Sequence, residues 1–496
     1  MSLIEQFHAR QKKMNAYTYA LQVMSWDSNT EAPTAAFPFR AEMQSLLSGE
    51  AFALATDPDY IALVEALLNA PETLSERDLK DVQKAHQSLQ KIIKIPSDEF
   101  VAYQKHLALS QRIWEDAKAQ NQYGMFQEAL AQTIATQKRF VGYRAEGKEP
   151  YNVLLDDFEE GMTMELYDAF FQAIKDELVP FVKTILSSGK QKPAFIDKHY
   201  PKAGQKAFVE YLNEVFEYDL TRGVLKESVH PFTWNTHSKD VRYTVRYLED
   251  FVFSSIFAAI HELGHAIYEM QVDESLDGTN LKNGASMGIH ESQSRFYENV
   301  IGRSRAFWKR HYPKLQSLFP ENLSDVSLDD FVLGINWVEA SFIRVEADEL
   351  TYPLHILIRY EMERAIFNDG VALETLPALW NEKVKHYLGL EVTQDSDGLL
   401  QDVHWSFGAF GYFPTYALGS AYAAQFYDTM RETLNIEHLC ENNDMGALNR
   451  WLQENIHQYG STKTPAQLLL DVTGKPFDVQ HYIRYLKEKY TALYLT

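Results

Sequence analysis

The reading turns on Ser255-Ile256-Phe257-Ala258-Ala259-Ile260-His261-Glu262-Leu263-Gly264-His265-Ala266-Ile267-Tyr268-Glu269. Ile256, Phe257, Ile260, Leu263 and Ile267 give the run a broad apolar surface, so it reads as one helix packed into a core. Residues four apart share a helix face, which sets the imidazoles of His261 and His265 side by side, with Glu262 next to them. Two imidazoles so placed can hold one metal ion, and one further ligand leaves a fourth tetrahedral position for water. Zinc would lower the pKa of that water from about 15.7 to about 7, and Glu262 is placed to take its proton. The competing reading is a pair of core histidines satisfied by ordinary hydrogen bonds, because such a short pattern occurs by chance in roughly a few per cent of chains this long.

Working outward, residues 277–284 form a loop by composition, and a second helix begins near Gly288. Glu291 lies 26 residues beyond His265, enough chain to turn back and bring a carboxylate to the metal as third ligand. Two His and one Glu form a catalytic set rather than a structural one. Glu298, two turns further on, is either an acceptor for the second N–H of a metal-bound imidazole or a member of a plain salt bridge, and His290 is equally open. Upstream, 216–249 breaks the helical pattern. Val224 to Val229 and Asp240 to Tyr247 are the strand candidates, the second alternating Val241, Tyr243, Val245 and Tyr247 with Arg242, Thr244 and Arg246. A small sheet there serves either as a structural hairpin or as an edge that pairs with a peptide backbone.

The first 215 residues read as helix after helix, with 76–94, 97–120, 123–142 and 163–188 the clearest and Ser75 and Ser97 as N-caps. No catalytic constellation appears in them, which assigns them to scaffold and one wall of a cleft. Residues 328–366 read as two helices meeting near Pro353 and contain Arg344, a residue type usually solvated in amphipathic helices. Gly398-Leu-Leu-Gln401-Asp402-Val-His404-Trp405 and Gly408-Ala-Phe-Gly411-Tyr412-Phe-Pro414-Thr-Tyr416 make a poor generic helix, which points to a site. His404 and a tyrosine there can donate hydrogen bonds to the oxyanion formed when water attacks a peptide carbonyl.

Over its 496 residues the chain carries a formal charge of -22, which argues against nucleic acid or an anionic membrane surface as partner. It shows no linker and no low-complexity tract, so residues 1–496 read as one catalytic domain. Cys440 is the only cysteine, excluding an internal disulfide and a cysteine-ligated metal, and it reads as an apolar filler. The charged start, Met1 to Lys13, does not resemble a secretory leader, and no apolar window of about 18 residues is present. A cytoplasmic protein is the expectation.

Six motifs in order then give the chain a resemblance to the carboxypeptidase Taq (thermostable carboxypeptidase 1) family of zinc metallocarboxypeptidases. They are His230-Pro231-Phe232, Asp240-Val-Arg242-Tyr-Thr244, His261 to His265, His290 to Arg295, Arg344-Val-Glu-Ala347-Asp348 and Gly398 to Trp405. The resemblance implies a mainly α, two-lobed helical peptidase similar to neurolysin and angiotensin-converting enzyme. A deep central groove would part the lobes, with a small β-sheet near the zinc. It implies a homodimer that removes single residues from peptide C-termini with broad specificity, C-terminal Pro being resisted. By position, His261, His265 and Glu291 hold zinc, with Co²⁺ able to fill the same set. Glu262 is base and proton shuttle, His404 the catalytic histidine, and Tyr416 the transition-state tyrosine with Tyr412 competing. His230 belongs to a wall that restricts substrate length. A terminal carboxylate calls for an arginine fork, for which Arg344 is the first choice and Arg242 the second. The rival readings are a helical zinc oligoendopeptidase, which cuts internally, and a non-catalytic zinc-stabilised peptide-binding scaffold, which has no need of Glu262.

Overall fold

Three strands interrupt an otherwise helical chain, in a computed structural model that describes residues 1–496. They are β1 (Gly223–Glu227), β2 (Thr233–His237) and β3 (Asp240–Val245), in the order β1-β3-β2. β1 runs parallel to β3, pairing Val224 with Arg242, while β2 is antiparallel, pairing Trp234 with Arg242. The sequence shows two of these strands; β2, Thr-Trp-Asn-Thr-His, has no alternation to reveal it. Val241, Tyr243 and Val245 face the core as their spacing predicts, but Thr244 is buried too, its hydroxyl accepting from Ser228 and from the Phe232 amide.

The signature run lies in a helix spanning Val252–Gln271, buried on nearly every side. A second helix, Met287–Arg295, returns across it. Ser286 caps that helix through the Ile289 amide, and the buried Glu159 carboxylate accepts from Gly288 N at 2.8 Å, placing negative charge where the helix dipole favours it. The two helices touch at Gly264, where a Cβ would lie 2.7 Å from Ser294 Cα. A third helix, Pro414–Thr433, packs on the second through Gly419, whose Cβ would lie 2.6 Å from that of Glu291. Only glycine permits these approaches.

The expected helices at 97–120, 123–142 and 163–188 occur as Ser97–Ala119, Tyr123–Arg144 and Met164–Leu186, and that at 76–94 stops at Gln90. Ser75 caps its helix, whereas Ser97 is itself the first helical residue after Pro96, whose fixed φ starts the turn without a side-chain cap. The region 328–366 departs further from its pattern. Helix Leu328–Ile335 ends early, residues 336–351 are irregular apart from a single turn at Arg344–Glu346, and the next helix, Tyr352–Arg364, carries Pro353 in its first turn. Arg344 is therefore buried in a turn and not solvated on a helix face.

A core of 102 buried residues runs from Ala117 to Tyr494. The N-terminal helices Leu3–Thr30, Pro58–Leu68 and Glu76–Gln90 keep a separate core of seven, including Phe7, Val64 and Val82. No helix is long and apolar enough to cross a membrane.

Candidate active site

The fold brings His261, His265 and Glu291 together with one ligand atom of each within 4.8 Å of the others. Nε2 of both histidines faces Glu291 Oε2, at 3.7 and 3.6 Å. Each outer atom is fixed from behind. His261 Nδ1 meets Glu298 Oε2 at 2.9 Å, and Glu298 also pairs with Arg295 and Arg303, so both expected roles of that carboxylate are realised at once. His265 Nδ1 meets His290 Nδ1 at 2.6 Å, and His290 Nε2 meets Glu269 Oε1 at 2.7 Å. Arg295 Nε donates to Glu291 Oε1 and its Nη1 to Glu298 Oε2, so one guanidinium orients the ligand carboxylate and the carboxylate behind His261. Arg295 in turn lies over the Tyr352 ring.

These contacts govern charge. Burial opposes ionisation of Glu291, but Arg295, His261 and His265 outweigh it and hold the carboxyl well below the usual range. Burial likewise opposes ionisation of Glu298, yet Arg295, His261 and Arg303 bring it down to about 2. Burial pushes His265 down to about 3 against the pull of Glu291, leaving a neutral imidazole with a lone pair. Glu262 moves the other way: burial raises it against His261 and the Thr233 hydroxyl. Thr233 Oγ1, on the edge strand β2, donates to Glu262 Oε2 at 2.7 Å and leaves Oε1 unengaged.

A second cluster gathers His404, Tyr412, Tyr416 and Arg344. The His404 ring lies 5.5 Å from Tyr412 and 6.3 Å from Tyr416, which are 5.1 Å apart, and its Nδ1 has no partner. Arg344 lies 5.1 Å from the Tyr416 ring. Its Nε and Nη2 donate to Asp402 Oδ1 and its Nη1 to Tyr352. Asp402 also binds Arg359, which is wholly buried. Tyr416 stands one turn before Gly419, the residue seated against Glu291, and so links the cluster to the metal ligands.

Arg242 and His230 lie apart from that cluster. Arg242, on β3, is bound by Asp240 through Nε and Nη2 and stacks on Trp26 and Trp234. His230 is exposed in the turn before β2. Among the residues the sequence reading left without a role, Glu269 had a signal, lying four beyond His265 on the same face, and Arg295 had one as the i,i+4 partner of Glu291. Arg359 and Asn235, which donates to Glu269, had none.

A three-ligand set with a carboxylate beside it is the arrangement of metal-assisted peptide hydrolysis. The sequence profile of the Carboxypeptidase Taq (M32) metallopeptidase family matches residues 6–490, and the chain belongs to that family and is a metallocarboxypeptidase. It is 44% identical to Carboxypeptidase 1 of Bacillus subtilis strain 168, over 98% of this chain and 97% of that one. Thermostable carboxypeptidase 1 of Pyrococcus furiosus is 34% identical, with 98% of both chains covered. Among solved structures, the M32 carboxypeptidase from Deinococcus radiodurans R1 superposes with a TM-score of 0.97 at 33% identity, covering 100% of both chains.

Proposed function

We propose that this metallocarboxypeptidase works with zinc and releases single residues from the free C-terminus of peptides, with broad specificity and with C-terminal Pro resisted. The observation that carries the choice of metal is the donor set: two imidazole nitrogens and one carboxylate oxygen, each backed by a hydrogen-bonding partner, fit zinc with one position left open. Cobalt fits the same set. When bound, the ion would acidify the attacking water and polarise the scissile carbonyl.

The chain's own residues do the rest. Glu262, held at Oε2 by Thr233, takes the water proton at Oε1 and passes it to the leaving amine. His404 and Tyr416, with Tyr412 as the competing donor, hydrogen-bond the oxyanion. Arg344 binds the terminal carboxylate. Its place over Tyr416, beside His404, supports this, whereas Arg242 lies apart from that cluster, stacked on Trp26 and Trp234. The sheet, with His230 before it, and the N-terminal helices form walls of a groove between two lobes. A cytoplasmic homodimer completes the reading, and the helix Phe37–Ala55, which buries no residue and exposes Phe39 and Leu46, offers an apolar face for a second copy.

Mass spectrometry of one peptide of about ten residues, as free acid and as amide, tests the function on zinc-loaded protein and on Glu262→Gln. A ladder of single-residue losses from the free acid alone, missing in the variant, is expected. Internal fragments from both forms would make the protein an oligoendopeptidase, and no cleavage by either protein would favour the silent scaffold.

A further inference from the structure

Glu363 lies in the last turn of helix Tyr352–Arg364, is wholly buried and pairs with no lysine or arginine. A carboxylate in such a place is costly unless its oxygens are filled. Here they are. Oε1 accepts from the Trp405 indole at 2.7 Å, and Oε2 accepts from Gly411 N at 2.7 Å and from the Tyr151 hydroxyl at 2.8 Å.

The two donors on the site loop are the immediate neighbours of the candidate oxyanion donors: Trp405 follows His404, and Gly411 precedes Tyr412. One carboxylate thus pins both ends of the segment between them. At one pin only glycine fits, since Gly411 has φ 88° and a Cβ there would sit 2.5 Å from the Leu154 carbonyl oxygen. One turn earlier on the same helix, Arg359 binds Gln401 and Asp402 on the other side of His404. We propose that Glu363 is a positioning residue for peptide hydrolysis, a buried clamp that holds His404 and Tyr412 in the orientation from which they act.

The proposal rests on the reading of His404 as an oxyanion donor and of Tyr412 as the tyrosine competing with Tyr416 for that role. Its test is Glu363→Gln, because an amide has only one accepting oxygen: whichever way it turns, its NH₂ meets the N–H of Trp405 or of Gly411, and one pin is lost. With metal-loaded protein, kcat should fall roughly 10- to 100-fold, as for a partly displaced oxyanion donor. KM should stay within about threefold, because ground-state binding is not altered. Hydrogen–deuterium exchange should quicken only in peptides covering 402–413. Trp405→Phe removes the opposing donor, so the losses in Glu363→Gln and Trp405→Phe should fall short of additive in the double variant. If Glu363→Gln does not fold, Trp405→Phe alone should show the same kcat-selective loss and local exchange, to a smaller degree. A wild-type kcat in Glu363→Gln, faster exchange spread over the whole chain, or additive losses would overturn the clamp. A slow Glu363→Gln beside a His404→Ala of normal rate would instead overturn the role of His404 and keep the clamp, with Tyr412 as the group it positions.

Discussion

His261, His265 and Glu291 stand on two regular helices, whereas His404 and Tyr412 stand on turns. The helical half inherits its geometry from the 3.6-residue repeat and from a close glycine contact, and its outer atoms are tied to groups on the same two helices and the turn that continues the second: Glu269, His290, Arg295 and Glu298. The loop half has no repeat to order it. Its shape comes from buried polar side chains on a separate helix, Arg359 and Glu363, which bind Gln401 and Trp405, each 42 residues further along the chain. Regular structure positions the candidate metal ligands and base, and polar contacts from a separate helix position the candidate oxyanion donors.

Substitutions on the two halves should therefore differ in size and in kind. The largest effect is expected from Glu262→Gln, which removes a group acting in both proton transfers: kcat should drop more than about a thousandfold while metal content, measured by plasma mass spectrometry, is retained. Chelation should abolish hydrolysis, with zinc restoring it, yet leave the far-ultraviolet circular dichroism of the helices, because a 102-residue apolar core holds them together. On the loop half, His404→Ala should cost about a hundred- to thousandfold in kcat, and comparison of Tyr416→Phe with Tyr412→Phe identifies the second donor as the slower variant. A near-normal His404→Ala would break the comparison, leaving catalysis to the helical half alone.

Arg344→Ala should cost about 2–5 kcal/mol in kcat/KM for free-acid peptides, since it removes a buried, hydrogen-bonded charge and leaves Asp402 Oδ1 without its donors while Oδ2 keeps Arg359. If both parameters stay normal for short peptides, carboxylate recognition lies elsewhere. The smallest expected effect is a shift of zero. Burial, helped by Arg344 and Arg359 and opposed by Asp402, brings His404 down to about 4, so its ring is neutral on both sides of neutral pH. Replacing it should lower kcat/KM by the same factor at about pH 5.5 and about pH 8, with the acid limb unmoved. A displaced limb would show that His404 titrates during turnover.

The difference between the halves also explains what could be read from the sequence. The convergence of His261 and His265 was legible because a four-residue spacing is written in helical turns, that of Glu291 because the intervening loop leaves room for the chain to turn back, and Glu298 was half legible from its two-turn spacing to Glu291. The link from His265 through His290 to Glu269 crosses two helices, so spacing alone could not show it. The alternation at 241–247 revealed β3, but β2 escaped because its edge position imposes no apolar face and Asn235 and Thr233 are spent on Glu269 and Glu262. At 336–351 the apolar spacing imitated a helix. There Asp348 ties its own loop through the amides of Leu350 and Thr351, and Arg344 is drawn inward by Asp402. The Gly- and aromatic-rich stretch pointed to His404 and the family resemblance added Arg344; no local pattern could have supplied Arg359 or Glu363, whose partners are set by tertiary contact.

Gly264 gives the five-letter signature a further meaning. Written as a motif, His261 to His265 leaves two free positions, yet the second touches the backbone of the helix that bears Glu291. Any side chain there would act as a wedge, separating the two ligands on one helix from the third on another before either helix lost its own regularity. In this chain the signature is thus also a docking surface, and transplanting its histidines and glutamate without that glycine would copy the ligands but not the distance between them.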